Sequence, residues 1–340
     1  MSNYDAIIAA IEQQTKAYEE ALPLRSAACR SRFFFQPHPT EKVCLFLHGF
    51  TAGPYQFVPM GEAFFSAGYN VLIPLMPGHG QAGDWNGDNP PPLPTDPQIY
   101  QQFVLQWLQQ AQVLGKQVVV GGLSTGATLA AWLALERPQE VYRALIFAPY
   151  LSSSIKLVDL FVEIFPFYFE WLNKDAPGNF GYDGFRIPSL RLFLDMGQEI
   201  VDRAPNSLSA PMFIFSSESD RVTSNRDHHA LFEAVLKHQP KSWYLCLDKA
   251  LDIHHRMMTK LEGNDYQNLV ITLAKAYVES GLTWAELLEI GYQMLLQGKT
   301  FEAVVAELNL HQQVSPDMSL IMVMLDKQIV IDAHKHGERG

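Results

Sequence analysis

Short apolar runs punctuate this chain at intervals that leave room for a helix between each pair. Residues 43–47, 70–73, 118–120, 144–147, 211–216 and 242–247 are such runs, rich in Val, Ile, Leu and Phe. They are too short for helices and show no strict alternation with polar residues, which is the pattern of strands buried on both faces. The segment 127–135, Ala-Thr-Leu-Ala-Ala-Trp-Leu-Ala-Leu, reads instead as a buried helix. Strands alternating with helical segments predict an α/β fold: a mostly parallel sheet flanked by helices.

Four departures from that alternation divide the chain. Residues 1–40 form a lead-in whose segment 4–22 is amphipathic, with Ile7, Ile8, Ile11 and Tyr18 set among acids and glutamines, and it predicts a surface helix. Residues 81–97 form a long loop rich in Gly, Asn and Pro, with Pro90, Pro91 and Pro92 at its centre. Loops of that length in compact domains are functional or mobile, so this one is expected to border the mouth of a site. Residues 150–209 are crowded with aromatics, including Phe161, Phe165, Phe167, Phe169, Trp171 and Phe185. After residue 280, Thr283-Trp284-Ala285-Glu286 has the form of a capping box, followed by Leu287, Leu288, Ile290, Leu295, Phe301, Val304, Val305 and Leu308 at helical spacing. Pro316 can open one more helix carrying Leu320, Ile321, Met324 and Ile329. The expected organisation is therefore a core over 41–149 and 210–280, an insertion over 150–209 and a helical extension over 281–340. The apolar faces of that extension need burial against the core, a partner or a second copy, so a homo-oligomer through these helices stays open.

Composition narrows the function classes. With 48% hydrophobic residues and 18% charged, the 340-residue chain can bury a large core. A net charge of −11 argues against nucleic acid and anionic membrane surfaces as partners. Cys29, Cys44 and Cys246 are too few for a disulfide framework. Reduced cysteines and a start with no secretion signal suit a cytoplasmic protein. No apolar run approaches the ~20 residues of a membrane span.

The pentapeptide Gly122-Leu123-Ser124-Thr125-Gly126 stands where the strand at 118–120 turns into the helix at 127–135. A sharp strand-to-helix turn strains the backbone at the serine and leaves its Oγ exposed above the sheet, and flanking glycines let strand and helix pass closely. A serine at a helix start is more often a simple cap, so the surrounding motifs decide the reading. Upstream, the strand at 43–47 runs into His48-Gly49-Phe50-Thr51-Ala52-Gly53. Farther on stands Pro74-Leu75-Met76-Pro77-Gly78-His79-Gly80. Downstream, the strand at 211–216 is followed by Ser217-Glu218-Ser219-Asp220-Arg221-Val222. The strand at 242–247 leads to Asp252-Ile253-His254-His255-Arg256.

Together these motifs resemble the α/β hydrolases over residues 40 to 280, and within them the monoglyceride-lipase and carboxylesterase-like members. The resemblance implies a serine hydrolase that cleaves carboxylic esters bearing an apolar acyl or alkyl group, through an acyl-enzyme. It carries Ser124 over as nucleophile, Asp220 as the acid after its strand, and a histidine on the loop before the last core helix as base. His255 is favoured because it lies nearer that helix, with His254 and Glu218 as alternative base and acid. The backbone amides of Phe50 and Thr125 fall at the oxyanion-hole positions. The insertion at 150–209 corresponds to a cap, so Phe161, Phe165 and Phe169, with His48 beside the oxyanion loop, are expected at the substrate pocket. His79 is expected to shape its loop. Such a hydrolase takes a small-molecule ester and needs no cofactor; the paired histidines lack a third ligand at metal-site spacing, so no metal is expected. Ala127 stands where many relatives carry a second glycine, and alanine is small enough to keep the close packing. Two other uses of the scaffold remain: a non-catalytic binding protein relying on the cap and extension, and an acyl or thioester transferase on the same triad.

Overall fold

The computed structural model describes residues 3–171 and 178–337. In chain order the strands are β1 (Arg32–Phe34), β2 (Thr40–Leu47), β3 (Asn70–Ile73), β4 (Gly115–Leu123), β5 (Val141–Phe147), β6 (Tyr168–Glu170), β7 (Gly184–Arg186), β8 (Met212–Ser217) and β9 (Trp243–Leu247). The helices are α1 (Asn3–Glu20), α2 (Val58–Ser66), α3 (Pro97–Gln112), α4 (Thr125–Glu136), α5 (Lys156–Ile164), α6 (Ile187–Arg203), α7 (Asn225–Leu236), α8 (Gln267–Glu279), α9 (Trp284–Gln297), α10 (Phe301–Glu307), α11 (Met318–Met324) and α12 (Lys327–Gly337).

Seven strands form one sheet in the order β1-β3-β2-β4-β5-β8-β9. All neighbours pair in parallel except β1, which runs antiparallel to β3 with Arg32 opposite Ile73. That short antiparallel edge was hidden in the sequence, where Arg32-Phe33-Phe34 carries no run long enough to stand out. The six predicted strands all form, and helices on both faces explain their unbroken apolar character: Val43 through Leu47 and Val118 through Val120 are wholly buried. Helix α4 is buried from Thr125 to Leu135 and is accordingly apolar all round. Because β2, β4, β8 and β9 are parallel, the loops that follow them all emerge at one carboxyl edge, where a ligand crevice is expected.

The lead-in helix α1 buries Tyr4, Ile11 and Glu19, whereas Tyr18 faces solvent. Between β5 and β8 the chain makes α5, the two-stranded β6–β7 ribbon and α6. The 81–97 loop is pinned to this insertion: the Gln81 N–H donates to the Tyr182 hydroxyl (2.9 Å) and the Ser189 hydroxyl donates to the Leu93 carbonyl (3.1 Å).

Beyond β9, the helix α8 closes the core and four more helices follow. The capping box forms as predicted, with the Thr283 hydroxyl accepting from the Glu286 N–H and the Glu286 carboxylate accepting from the Thr283 N–H. The single helical run read over 284–308 is two helices, because Gly298 takes a left-handed φ of 66° and ends α9 before Thr300 caps α10. The helix read after Pro316 is likewise two, α11 and α12. These helices pack on the core: Trp284 meets Phe232 of α7 edge-on at 5.1 Å, and the Ser315 hydroxyl donates to the Ala276 carbonyl of α8 (3.0 Å). Leu287, Ile290, Val304, Met318 and Ile321 are buried there. Among the described residues no helix is long and apolar enough to cross a membrane.

Candidate active site

Ser124 sits between β4 and α4 with φ 57° and ψ −118°, a left-handed backbone that a non-glycine residue adopts only when its surroundings over-determine it. They do so here. Its N–H donates to the Phe147 carbonyl (3.0 Å), while its own carbonyl accepts from the N–H groups of Thr128 (2.9 Å) and Tyr150 (3.2 Å). The flanking glycines are obligatory on steric grounds. A Cβ on Gly122 would lie 2.2 Å from the Gly126 carbonyl carbon, and one on Gly126 would lie 2.2 Å from the Leu47 carbonyl oxygen. Strand β2, strand β4 and helix α4 thus meet backbone to backbone beneath the serine.

The loops after β8 and β9 meet through Asp220 and His255, whose Oδ2 and Nδ1 lie 2.8 Å apart. Oδ2 also accepts from the Thr223 hydroxyl (2.7 Å), and Oδ1 accepts from the N–H groups of Val222 (2.7 Å) and Thr223 (3.3 Å). Burial pushes the Asp220 carboxyl upward, but the charge and hydrogen bond of His255, with the Val222 and Thr223 donors, outweigh it and hold the group below the usual carboxylate range. An ionised Asp220 makes Nδ1 of His255 the protonated nitrogen and leaves Nε2 as an acceptor. His254 points elsewhere: its side chain is 62% exposed, with Nε2 3.5 Å from Asp252 Oδ1. Glu218 accepts from the Lys249 N–H (3.0 Å), so it ties the two loops together and does not meet either histidine.

The turn after β2 carries a second left-handed residue, Thr51, with φ 59°. The insertion clamps it. The Tyr182 N–H donates to the Thr51 carbonyl (2.8 Å), the Trp171 indole N–H donates to the Thr51 hydroxyl (2.9 Å), and Gly181 approaches so closely that a Cβ would lie 1.8 Å from the Thr51 oxygen. His48 is fully buried below this turn. Its Nε2 accepts from the Met76 N–H (3.0 Å) and its Nδ1–H donates to the Gly49 carbonyl (2.9 Å), so both nitrogens are spent on backbone, and burial keeps the ring neutral.

A further chain of contacts had no signature in the sequence. The Gly49 N–H donates to Gln56 Oε1 (2.8 Å), and Gln56 Nε2 donates to Glu262 Oε1 (2.8 Å). Glu262 also accepts from the Thr259 hydroxyl (3.1 Å), and burial pushes its carboxyl up to about 7 against the lowering effect of these donors and of Arg256. His228 of α7 is wholly buried, its Nε2–H donating to the Pro149 carbonyl (2.8 Å) and its Nδ1 accepting from the Ser216 hydroxyl (2.9 Å). Burial lowers it to about 4, as it does His79.

A cavity of about 490 Å³ opens over Ser124 and His255. Phe50, Leu123, Tyr150, Trp171, Leu190 and Val222 supply its apolar wall, and Gln56, Arg221, His254, Arg256 and Glu262 its polar one. His48, Phe161, Phe165 and Phe169 are not part of that lining. His48 lies beneath the turn, Phe161 and Phe165 meet in a tilted contact at 4.8 Å on a partly exposed face of the insertion, and Phe169 packs edge-on against Trp171 (5.7 Å). The 81–97 loop does not border this mouth either; Thr95 and Pro97 edge a separate cleft of about 280 Å³ between α3 and α6.

The sequence pattern described as the alpha/beta hydrolase fold matches residues 42–199. The chain has the α/β-hydrolase fold. Solved structures agree: a metagenome-derived lipolytic enzyme superposes with a TM-score of 0.60 at 16% identity, over 74% of this chain and 98% of that one. Monoglyceride lipase from Saccharomyces cerevisiae gives 0.59 at 14% identity over 73% and 90%. In sequence, a thermostable monoacylglycerol lipase from Bacillus sp. (strain H-257) is 34% identical over 100 residues, 28% of this chain and 35% of the lipase, so the match spans about a third of that relative. The resemblance read from the motifs therefore recurs in sequence over that stretch of a monoacylglycerol lipase, and the backbone comparisons show the same fold.

Proposed function

We propose that this α/β hydrolase is a serine esterase acting on small carboxylic esters with an apolar acyl or alkyl group. The observation that carries the reading is the Asp220–His255 contact of 2.8 Å at the wall of a cavity whose floor is the strained Ser124. His255 Nε2 takes the Ser124 proton as Oγ attacks the ester carbonyl. Amides of Phe50 and Thr125 receive the oxyanion, each donor lowering the barrier by ~3 kcal/mol. The Thr51 clamp supports this role for Phe50, because a left-handed residue held from three sides fixes the direction of the turn that carries its amide. Collapse of the tetrahedral intermediate expels the alcohol, protonated by His255, and leaves the acyl-enzyme. Water, deprotonated by His255, then releases the acid and restores the serine. Asp220 stays ionised throughout and stabilises the imidazolium.

Residues 150–209 act as a cap in this reading, contributing Trp171 and Leu190 to the apolar wall. The lipase names of the relatives favour esters of aliphatic acids. Hydrolysis of p-nitrophenyl esters across acyl lengths tests the proposal, with Ser124→Ala as control. Turnover that disappears in the variant is expected; equal turnover in both proteins, or none from folded wild type at any length, would reject it.

A further inference from the structure

We propose that the esters taken at this site carry a compact oxyanion, a carboxylate or a phosphate, held by Arg221 and Arg256. The inference rests on the esterase reading and adds the substrate class to it. Arg221 follows Asp220 directly and Arg256 follows His255, so the contact that joins those two loops also brings both arginines into the lining of one cavity. Across the chain 36 acidic residues outnumber 25 basic ones, and surface arginines such as Arg25, Arg137 and Arg203 are engaged with carboxylates. Arg221 and Arg256 form no ion pair with another described residue. In an acidic protein, two guanidinium groups with no ion pair among the described residues make a local positive field beside the serine, tempered on the Arg256 side by the Glu262 carboxyl.

The charges that could cancel this field are accounted for. Glu262 is the one carboxyl among the described residues of the lining, and both its oxygens already accept hydrogen bonds, from Gln56 and Thr259. Burial raises its carboxyl to about 7, and the Arg256 charge acts against that rise, so Glu262 offsets part of the field. Asp220 is committed to His255, Thr223 and Val222. His254 adds a polar edge. Planar guanidinium forks match carboxylate and phosphate geometry bidentately, which a lysine would not do as well. The oxyanion would sit at the two arginines, and the apolar part of the ester against Phe50, Leu123 and Trp171 of the same lining.

Two substrate pairs read the proposal and separate the source of the anion. The p-nitrophenyl monoester of glutaric acid against p-nitrophenyl butyrate places a carboxylate on the acyl side; butyryl glycerophosphate against butyrylglycerol places a phosphate on the alcohol side. In at least one pair the wild type is expected to prefer the anionic ester in kcat/KM, and that preference should fall ~10-fold in the R221Q/R256Q double variant and in about 1 M NaCl. No preference in either pair, or a preference unmoved by the substitutions, overturns the proposal. Calorimetric binding of monomethyl glutarate and methyl butyrate to the Ser124→Ala protein reads the same recognition without turnover. Absent turnover with intact anion preference in that titration would reject the esterase reading alone, and equal binding of the two ligands together with equal binding of glycerophosphate and glycerol would reject this one.

Discussion

Replacing Asp220 by Asn isolates the function of the carboxylate from its place in the fold. Oδ1 faces two backbone donors, the N–H groups of Val222 and Thr223 at 2.7 and 3.3 Å, so the amide oxygen of an asparagine must take that position. The amide nitrogen is then forced into the Oδ2 position, facing Thr223 Oγ1 at 2.7 Å and His255 Nδ1 at 2.8 Å. The threonine hydroxyl can reverse and accept. His255 can keep the contact only by moving its proton to Nε2, which removes the acceptor that the proposed mechanism requires. Wrong-tautomer substitutions of this kind cost ~10⁴-fold in kcat. Because the volume and three of the four contacts survive, thermal stability should move by no more than about 2 kcal/mol, the cost of trading one charge-assisted hydrogen bond for a neutral one. The assay is kcat on a p-nitrophenyl ester for Asp220→Asn and wild type, with a melt on each. A variant within tenfold of wild-type kcat would refute the tautomer argument, and Glu218→Gln serves as the comparison expected to change kcat little.

Other expectations follow from geometry and charge. Gly122→Ala places a methyl 2.2 Å from the Gly126 backbone, which cannot rotate away, so a loss of at least about 3 kcal/mol in urea unfolding is expected; a neutral substitution would contradict the close approach. Trp284→Ala removes a side chain only 6% exposed, and should lower one cooperative melting transition by ~3–5 kcal/mol; a separate early transition would show the extension unfolding by itself. Glu262 is raised to about 7 in the fold from an ordinary 4.5, so the folded state retains a proton that the unfolded chain has released; stability should fall by up to about 3 kcal/mol between about pH 4.5 and about pH 7 and level off above, and Glu262→Gln should flatten that slope. His79 and His228 are depressed to about 4 from 6.5, so the unfolded chain binds their protons first; stability is fully present above about pH 6.5 and is lost as pH falls towards about 4, on the order of 3 kcal/mol each, and melts unchanged across that range would contradict their burial as neutral rings.

Much of the site could be read from the chain because local rules generate it. A strand that turns into a helix through Gly-x-Ser-x-Gly has few backbone solutions, and the structure meets the expected strain at Ser124. Parallel strands send their following loops to one edge, which is why Asp220 and a histidine of the 254–255 pair could be expected near each other. Adjacent histidines, however, share every local signal, and what separates them is which ring the loop turns toward Asp220. The contacts of Gln56, Glu262 and His228 span long stretches of sequence or lie inside an ordinary-looking helix, so no motif announces them. The aromatic residues of the insertion show the opposite failure. Phe161 and Phe165 satisfy one another on the outer face of the insertion, and Trp171 and Leu190 reach the cavity in their place. The proline-rich loop at 81–97 looked like a rim because of its length, yet hydrogen bonds to Tyr182 and Ser189 make it a support for the insertion. In the C-terminal extension the periodicity located apolar faces correctly, while a left-handed glycine, Gly298, decided where one helix stopped.

Covalent labelling tests the central claim most directly. Folded wild type treated with a fluorophosphonate should gain one adduct by intact mass, mapped by peptide sequencing to Ser124, with labelling lost in Ser124→Ala and strongly slowed in His255→Ala. An unlabelled wild type, or an adduct on any residue other than Ser124, would contradict the assignment of Ser124 as an activated nucleophile.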